Sequence, residues 1–226
     1  MHTQRDAEIL AWIGSLGAAG VEHVMGRFAM RQSWAYTRLS RMACEGLLDR
    51  KALLHRKPGL YIATAEGLRS CGLERLGVQS IRPAGFEHAQ EVASAAVSLS
   101  RGLAGWKILS EREIRAEESD RNELVASARV GELPSGRPAL HRPDLTLISP
   151  DGRVMAVEIE LSIKAPRRLA GICRGWARAR HVSHVYYFAT PAVARAVDRA
   201  IAKTRAEDRI TVLELPVTTR FVAAES

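Results

Sequence analysis

Four residues near the middle of the chain have side chains suited to metal-assisted phosphate chemistry: Asp144, Glu158, Glu160 and Lys164. Carboxylate oxygens are the ligands that Mg²⁺ and Mn²⁺ prefer in proteins. A bound divalent metal can activate water and stabilise a scissile phosphate. Without a metal, neighbouring carboxylates repel each other, and burial or repulsion raises the pKa of one of them. These four residues therefore define a candidate metal and catalytic site, provided that the fold brings them together.

A β-hairpin is the element that would do so. The tripeptide Pro150-Asp151-Gly152 separates two apolar-rich stretches, which predicts two strands joined by a three-residue loop. With that loop, Ser149 pairs with Arg153, and Asp144 lies opposite Glu158 on one face. Alternation along the second strand adds Glu160, Ser162 and Lys164 to the same face, with Lys164 about 13 Å beyond residue 160 at roughly 3.3 Å per residue.

The opposite face of this hairpin is apolar and is predicted to join the core. It carries Leu145, Leu147, Met155, Val157, Ile159 and Leu161. A structural alternative exists for the polar face, in which arginines from the segment after Pro166 neutralise the acids. The candidates for that role are Arg167, Arg168 and Arg174. In that case the strand would be a scaffold and not a catalyst.

The composition limits the class of protein. The chain has 226 residues, 46% of them hydrophobic, so one or two globular domains are expected. A net charge of +8 favours a polyanionic partner, nucleic acid first, over the alternative of an arginine-rich solvated surface. The three cysteines have no zinc-binding or disulfide spacing, and no apolar run spans a membrane, so we expect a cytoplasmic protein that does not associate with membranes.

Residues 1–77 have the pattern of a winged helix. Helices are predicted from Thr3 to Ser15, from Val21 to Phe28 and from Ser33 to about Glu45. A basic hairpin with the turn Pro58-Gly59 follows, and a further helix begins at Ala65. Three short helices followed by a hairpin are typical of winged helix-turn-helix domains that bind DNA.

The third helix and the hairpin would supply the contacts with double-stranded DNA. The predicted contact residues are Arg31, Gln32, Ser33, Trp34, Tyr36, Thr37, Arg38 and Arg41 from the helix, and Arg50, Lys51, Arg56 and Lys57 from the wing. Trp34 and Tyr36 would suit a core position equally well. The basic residues could form an ordinary solvated face, and a winged helix can also dock proteins.

Residues 78–87 contain Pro and Gly and are predicted to be a linker, and 88–226 form the second domain. Its elements predict a mixed α/β sheet flanked by helices. The expected elements are a helix from His88 to Leu103, a strand from Trp106 to Ser110 that Glu111-Arg112-Glu113 could extend, the central hairpin, a helix from Pro166 to about Arg180, a strand from His184 to Thr190, a helix from Pro191 to about Glu207, and a strand from Ile210 to Leu215. Residues 116–141 are polar and predict a long loop, with at most one helical turn at Asn122–Arg129.

The motif Pro143-Asp144, a hairpin and then Glu158-Ile159-Glu160 resembles the PD-(D/E)xK nuclease fold. In that family an Asp and a Glu hold Mg²⁺, and a helix before the first strand often adds a Glu. The resemblance thus implies Asp144, Glu158 and Glu91 as metal ligands for Mg²⁺ or Mn²⁺. The family has a catalytic lysine where this chain has Glu160, and that departure puts cleavage in doubt.

The whole chain also resembles the bacterial plasmid replication-relaxation family, which pairs a winged helix with a degenerate nuclease-like domain. The resemblance rests on short matches, among them Gly46-Leu47-Leu48, Pro58-Gly59-Leu60-Tyr61, Trp106 with Glu111-Arg112-Glu113, and His141-Arg142-Pro143-Asp144. It implies association with the DNA of plasmids or mobile elements, in transcription regulation or an accessory role, and we expect a homodimer. The alternative is a Mg²⁺- or Mn²⁺-dependent endonuclease that uses Asp144, Glu158, Glu160 and Lys164.

Overall fold

The computed structural model describes residues 3–55 and 57–216, so the predicted wing residue Arg56 lies outside the described residues. The chain divides into two compact units, Met1–Arg101 and Gly102–Ser226. The division falls at the end of a helix at Phe86–Gly102, whereas the sequence predicted the boundary at 78–87 and assigned that helix to the second domain.

Three helices open the N-terminal unit: α1 (Gln4–Leu16), α2 (Val21–Phe28) and α3 (Gln32–Cys44). Thr3 and Asp6 form a capping box, in which each side chain accepts a hydrogen bond from the other residue's backbone N–H. Gly17 ends α1 with a positive φ of 104°, a conformation that costs glycine little. The three helices bury one apolar core, which includes Ile9, Ile13, Val24, Leu39 and Met42.

A two-stranded hairpin follows, with β1 (Leu48–Lys51) antiparallel to β2 (Leu60–Ala63). Tyr61 of β2 also exchanges two backbone hydrogen bonds with Ala19, which lies between α1 and α2. Helix α4 (Ala65–Ser70) begins at Thr64, whose hydroxyl accepts a hydrogen bond from the Gly67 N–H. The unit therefore has the element order that the sequence predicted for residues 1–77.

Helix α5 (Phe86–Gly102) belongs to this unit through its own contacts. The hydroxyl of Ser94 lies 3.1 Å from Nε2 of His23, a buried side chain of α2. Gly26 allows α2 and α5 to approach closely, since a Cβ there would lie 2.7 Å from the Cγ1 of Val97.

The C-terminal unit is a mixed α/β structure, as predicted. Its elements are β3 (Lys107–Ser110), α6 (Glu111–Arg121), β4 (Ala128–Glu132), β5 (Pro138–His141), β6 (Leu145–Ile148), β7 (Val154–Glu160), α7 (Pro166–Arg178), β8 (His184–Ala189), α8 (Pro191–Thr204) and β9 (Ile210–Glu214). The main sheet has the order β3-β6-β7-β8-β9, with antiparallel pairs up to β7 and parallel pairs after it. Helices α7 and α8 connect the parallel strands and share one core.

The central hairpin has the predicted register. Leu145 pairs with Val157 and Leu147 with Met155. The Ser149 N–H donates to the Arg153 carbonyl at 3.0 Å, which closes the loop at the expected pair. Since the register is continuous, Asp144 lies directly before β6 at the level of Glu158.

Two predictions for residues 111–141 were wrong. Ser110 caps the helix α6 in a capping box with Glu113, although the sequence suggested a continuing strand there. The region from 116 to 141 is not a loop, because α6 runs to Arg121 and β4 and β5 then form an antiparallel ribbon. We call this β4–β5 pair the ribbon.

None of the helices within 3–55 and 57–216 is both long enough and apolar enough to cross a membrane.

Candidate functional site

Asp144 and Glu158 lie side by side in the C-terminal unit, but each already has a partner. The Asp144 carboxylate accepts a hydrogen bond from the Ile159 N–H at 2.7 Å. The Glu158 carboxylate lies 2.7 Å from Nε2 of His141, at the end of the ribbon. Glu158 is only 4% exposed, so the predicted polar face is a buried one.

Lys164 reaches this region by a route that the sequence did not predict. Strand β7 ends at Glu160, and the chain bends before α7 begins at Pro166. The Lys164 ammonium therefore folds back into an ion pair with the Glu160 carboxylate, which is 5% exposed. The prediction of a separation of about 13 Å was wrong, because it assumed that the strand continued to residue 164.

We refer to Asp144, Glu158, Glu160, His141 and Lys164 as the acidic cluster. Burial raises the pKa of Glu158 above its usual range, against the opposing effect of His141. Burial alone would lower the pKa of His141, but the carboxylate of Glu158 outweighs it and raises that pKa. Burial lowers the pKa of Lys164, and Glu158 and Asp144 offset only part of that shift. His141 and Lys164 thus offset part of the negative charge of the three carboxylates, in a space that water reaches poorly.

The arrangement does not fit a divalent-metal site. In the described part of the chain, no group of three or more His, Cys, Asp or Glu side chains is placed to hold a metal ion. His141 bonds to one carboxylate oxygen of Glu158, and Lys164 pairs with the carboxylate of Glu160. The third ligand implied by the resemblance, Glu91, lies on α5 in the N-terminal unit. The carboxylates of Asp144, Glu158 and Glu160 thus each have an internal partner already.

The acids have partners other than the arginines predicted from the sequence. The arginines proposed to neutralise the acids, Arg167, Arg168 and Arg174, are exposed on α7. The acids pair instead with His141, which contacts Glu158, and with Lys164, which contacts Glu160. The sequence placed His141 next to the motif, but it gave no sign of the partner, because that contact depends on the ribbon.

The predicted DNA-contact residues of α3 lie largely on its surface. Trp34 is 64% exposed and Tyr36 is 52% exposed, so neither is a core residue. The residues Arg31, Gln32, Ser33 and Thr37 are also exposed. No carboxylate occurs in α3, which leaves its surface basic and aromatic.

Arg38 and Arg41 have a role that the sequence did not reveal. Their guanidinium groups lie 2.6 and 2.5 Å from the two carboxylate oxygens of Asp6, which is 1% exposed. They attach α3 to the start of α1. Both arginine side chains remain partly exposed to solvent while they are paired with Asp6.

The hairpin presents a smaller set of basic groups. Arg50 and Lys57 are exposed, and like Arg31 they form no ion pair with any residue in 3–55 or 57–216. Lys51 pairs with Asp49 on the same strand.

No protein-family model and no curated protein matches this chain.

Proposed function

We propose that this protein is a DNA-binding regulatory or accessory protein whose N-terminal unit is a winged helix that contacts duplex DNA. In this proposal α3 enters the major groove and the β1–β2 hairpin is the wing. The C-terminal unit, a PD-(D/E)xK-like fold of the kind found in the replication-relaxation family, serves as a scaffold and a second contact with DNA. A homodimer would present two copies of α3 to a pair of half-sites.

The exposure of Trp34 and Tyr36 on α3 is the observation that carries this proposal. Trp and Tyr are enriched at interfaces, so their exposure in the first two turns of α3 favours a binding role there. The neighbouring Arg31 and Gln32 are suited to hydrogen bonding with phosphates and base edges. The bridge between Ala19 and Tyr61 further supports the winged-helix assignment, because it fixes the hairpin to the helical core.

Duplex binding measured by fluorescence anisotropy tests the proposal. We expect affinity to fall steeply between about 50 and 200 mM salt, since phosphate contacts release counterions. The variants Trp34→Ala and Tyr36→Ala should each weaken binding about tenfold, the range expected for loss of a base contact. Val78→Ala is the matched control, because Val78 is a similarly exposed apolar side chain outside α3.

Two results would contradict the proposal. Duplex binding without salt dependence would mean that phosphates contribute little. Salt-sensitive binding that survives both aromatic substitutions would remove α3 as the reading helix and favour the view that it docks a protein.

The alternative, a metal-dependent endonuclease, retains one supporting observation: Lys164 lies at the carboxylate of Glu160 although the family's lysine position is lost. The internal partners of Asp144, Glu158 and Glu160 oppose it. Supercoiled plasmid incubated with Mg²⁺ or Mn²⁺ should stay intact, and neither metal should raise the melting temperature, because only a bound metal would stabilise the fold. Nicking by the wild type that Asp144→Ala abolishes would establish the endonuclease instead.

A further inference from the structure

A groove runs between α7 and the ribbon in the C-terminal unit, away from the acidic cluster's carboxylates. It has a volume of about 550 Å³. The residues that decide its chemistry are Arg129 and Glu132 from β4, Arg174 and Arg178 from α7, and His181. We call it the arginine groove.

The arginine groove carries a net positive charge. Arg129, Arg174 and Arg178 are exposed, and none of them pairs with an acid in the described ranges. The lining includes a single carboxylate, that of Glu132. His181 is engaged separately, with Nε2 lying 3.0 Å from the Ser127 carbonyl. Three guanidinium groups on two walls, opposed by one carboxylate, leave an excess of positive charge that an anion would balance.

The positive charge continues along α7 beyond the groove itself. Arg167, Arg174 and Arg178 are spaced by seven and four residues, which places them on one face of the helix. From Arg167 to Arg178 this face extends about 16 Å at 1.5 Å per residue. One strand of B-DNA has a phosphate about every 3.4 Å of axis, so the row can meet several phosphates in succession. A row of this length suits a polymer better than a single small anion.

Gly171 lies in the same row, between the arginines, and it keeps the wall of the groove open. A Cβ built at Gly171 has no other atom within 4 Å. Its neighbour one turn later, Gly175, is packed closely, since a Cβ there would lie 2.9 Å from the Arg129 carbonyl oxygen. The helix therefore contacts the ribbon at Gly175 and leaves space beside Gly171.

We infer that the arginine groove binds the phosphodiester backbone of nucleic acid, with Arg129, Arg174 and Arg178 contacting phosphates. The assignment of the ligand as nucleic acid rests on the proposed function, whereas the groove and its positive charge are observed independently of it. The site is separate from α3, so it forms a second contact that positions the nucleic acid and does not read its sequence.

Gly171 offers a test that leaves the arginines untouched. In the full chain, Gly171→Glu places a carboxylate in the groove, and Gly171→Ala is the matched steric control. Ala192→Glu, on the exposed start of α8, makes the same change in net charge elsewhere. We expect Gly171→Glu to weaken duplex binding about fivefold to tenfold relative to Gly171→Ala, as a repulsive charge close to a phosphate would, while Ala192→Glu binds like the wild type.

The double variant Arg174→Gln/Arg178→Gln gives an independent measure. Loss of two phosphate contacts should reduce the slope of log affinity against log salt by about 1.8. Wild-type affinity and slope in both the Gly171→Glu and the double variant would overturn the inference, even if Trp34→Ala showed that α3 binds DNA. Loss of binding in the groove variants but not in the α3 variants would overturn the proposed reading helix and support the groove.

Inorganic phosphate is the second probe. A rise in melting temperature on adding phosphate to Gly171→Ala, absent in Gly171→Glu, together with equal DNA binding by the two variants, would assign the groove to a small phosphate ligand and overturn the inference. A wild-type chain that binds no nucleic acid would overturn both proposals.

Discussion

Asp6 is a single carboxylate that holds a helix end and a neighbouring helix at once. It accepts hydrogen bonds from the N–H and hydroxyl of Thr3 at 2.8 and 2.7 Å. It also pairs with Arg38 and Arg41 of α3. Burial by itself would raise the pKa of Asp6, but the hydrogen bonds from Thr3 and Arg38 outweigh burial and hold that pKa well below its usual range. Asp6 therefore helps to fix the position of α3, and so of its exposed aromatics, together with the apolar core.

Asp6→Asn should therefore lower the free energy of unfolding by about 2–3 kcal/mol at about pH 7, since it leaves a charged, hydrogen-bonded network incomplete. A lowered folded-state pKa contributes stability above the ordinary value of about 3.9, and that stability is lost as the pH falls toward the folded pKa. The difference between wild type and variant should shrink as the pH falls below about 4. Urea unfolding across this pH range measures it.

Glu8→Gln is the control for this prediction. Glu8 lies on the same helix and pairs with Arg5 at 3.0 Å, but both side chains are exposed. An exposed pair contributes little, so its removal should change stability by less than about 0.5 kcal/mol. Similar losses from both substitutions would mean that Asp6 has no special role.

At the scale of elements, α7 places two glycines one turn apart in opposite environments. Gly171 has open space around it, and Gly175 is buried against the ribbon. Both are helical, so the cost of glycine in a helix interior is common to the two positions. The difference in free energy of unfolding between alanine variants at the two positions therefore isolates the contact between α7 and the ribbon.

Gly171→Ala should raise the free energy of unfolding by about 0.5–1 kcal/mol, the difference in helix propensity. Gly175→Ala should lower it by about 1–3 kcal/mol despite the same gain, because the added methyl group meets the Arg129 carbonyl at 2.9 Å and the Val130 Cγ1 at 3.0 Å. Thermal or urea unfolding of the two variants gives the comparison. An equal rise in the free energy of unfolding in both variants would show that the ribbon accommodates the methyl group at position 175 without loss of stability.

Elements with strong local signals could be predicted from the sequence. Val21–Phe28 was placed with its observed ends, and the hairpin register followed from Pro150-Asp151-Gly152. Helix α6 was missed although Ser110 and Glu113 have the spacing of a capping box. Its mean composition is strongly polar, and its inner side is held by Glu118, which accepts three backbone N–H groups from residues 125 to 127. That stabilisation comes from the following loop and leaves no apolar periodicity to detect.

At the scale of the whole molecule, the candidate site was predictable in part. The pairing of Asp144 with Glu158 is local to one hairpin, and the sequence placed it correctly. The partners His141 and Lys164 depend on where the ribbon ends and where the chain leaves β7, which are tertiary features. The arginine groove was not predicted at all, because the ribbon that forms one wall was interpreted as loop.

The net charge of +8 fits two separate basic surfaces, one in each unit. In the N-terminal unit the exposed basic residues accompany aromatic side chains, which suits contact with bases. In the C-terminal unit they line a groove whose described lining residues include no Trp, Tyr or Phe, which suits contact with the backbone alone. In the proposed complex, the α3 surface would read the DNA sequence and the arginine groove would add affinity through the backbone.

The ribbon contributes both to the arginine groove and to the acidic cluster. One strand forms a wall of the arginine groove, and the other ends at His141, which binds Glu158. A two-stranded ribbon has little stability of its own, so its two strands depend on these contacts. Any ligand that shifts it also changes the proton affinity of the His141–Glu158 pair, and by reciprocity proton uptake changes the affinity for that ligand. The heat of binding would then include heat from the buffer, and it would vary with the buffer's ionisation enthalpy at constant pH.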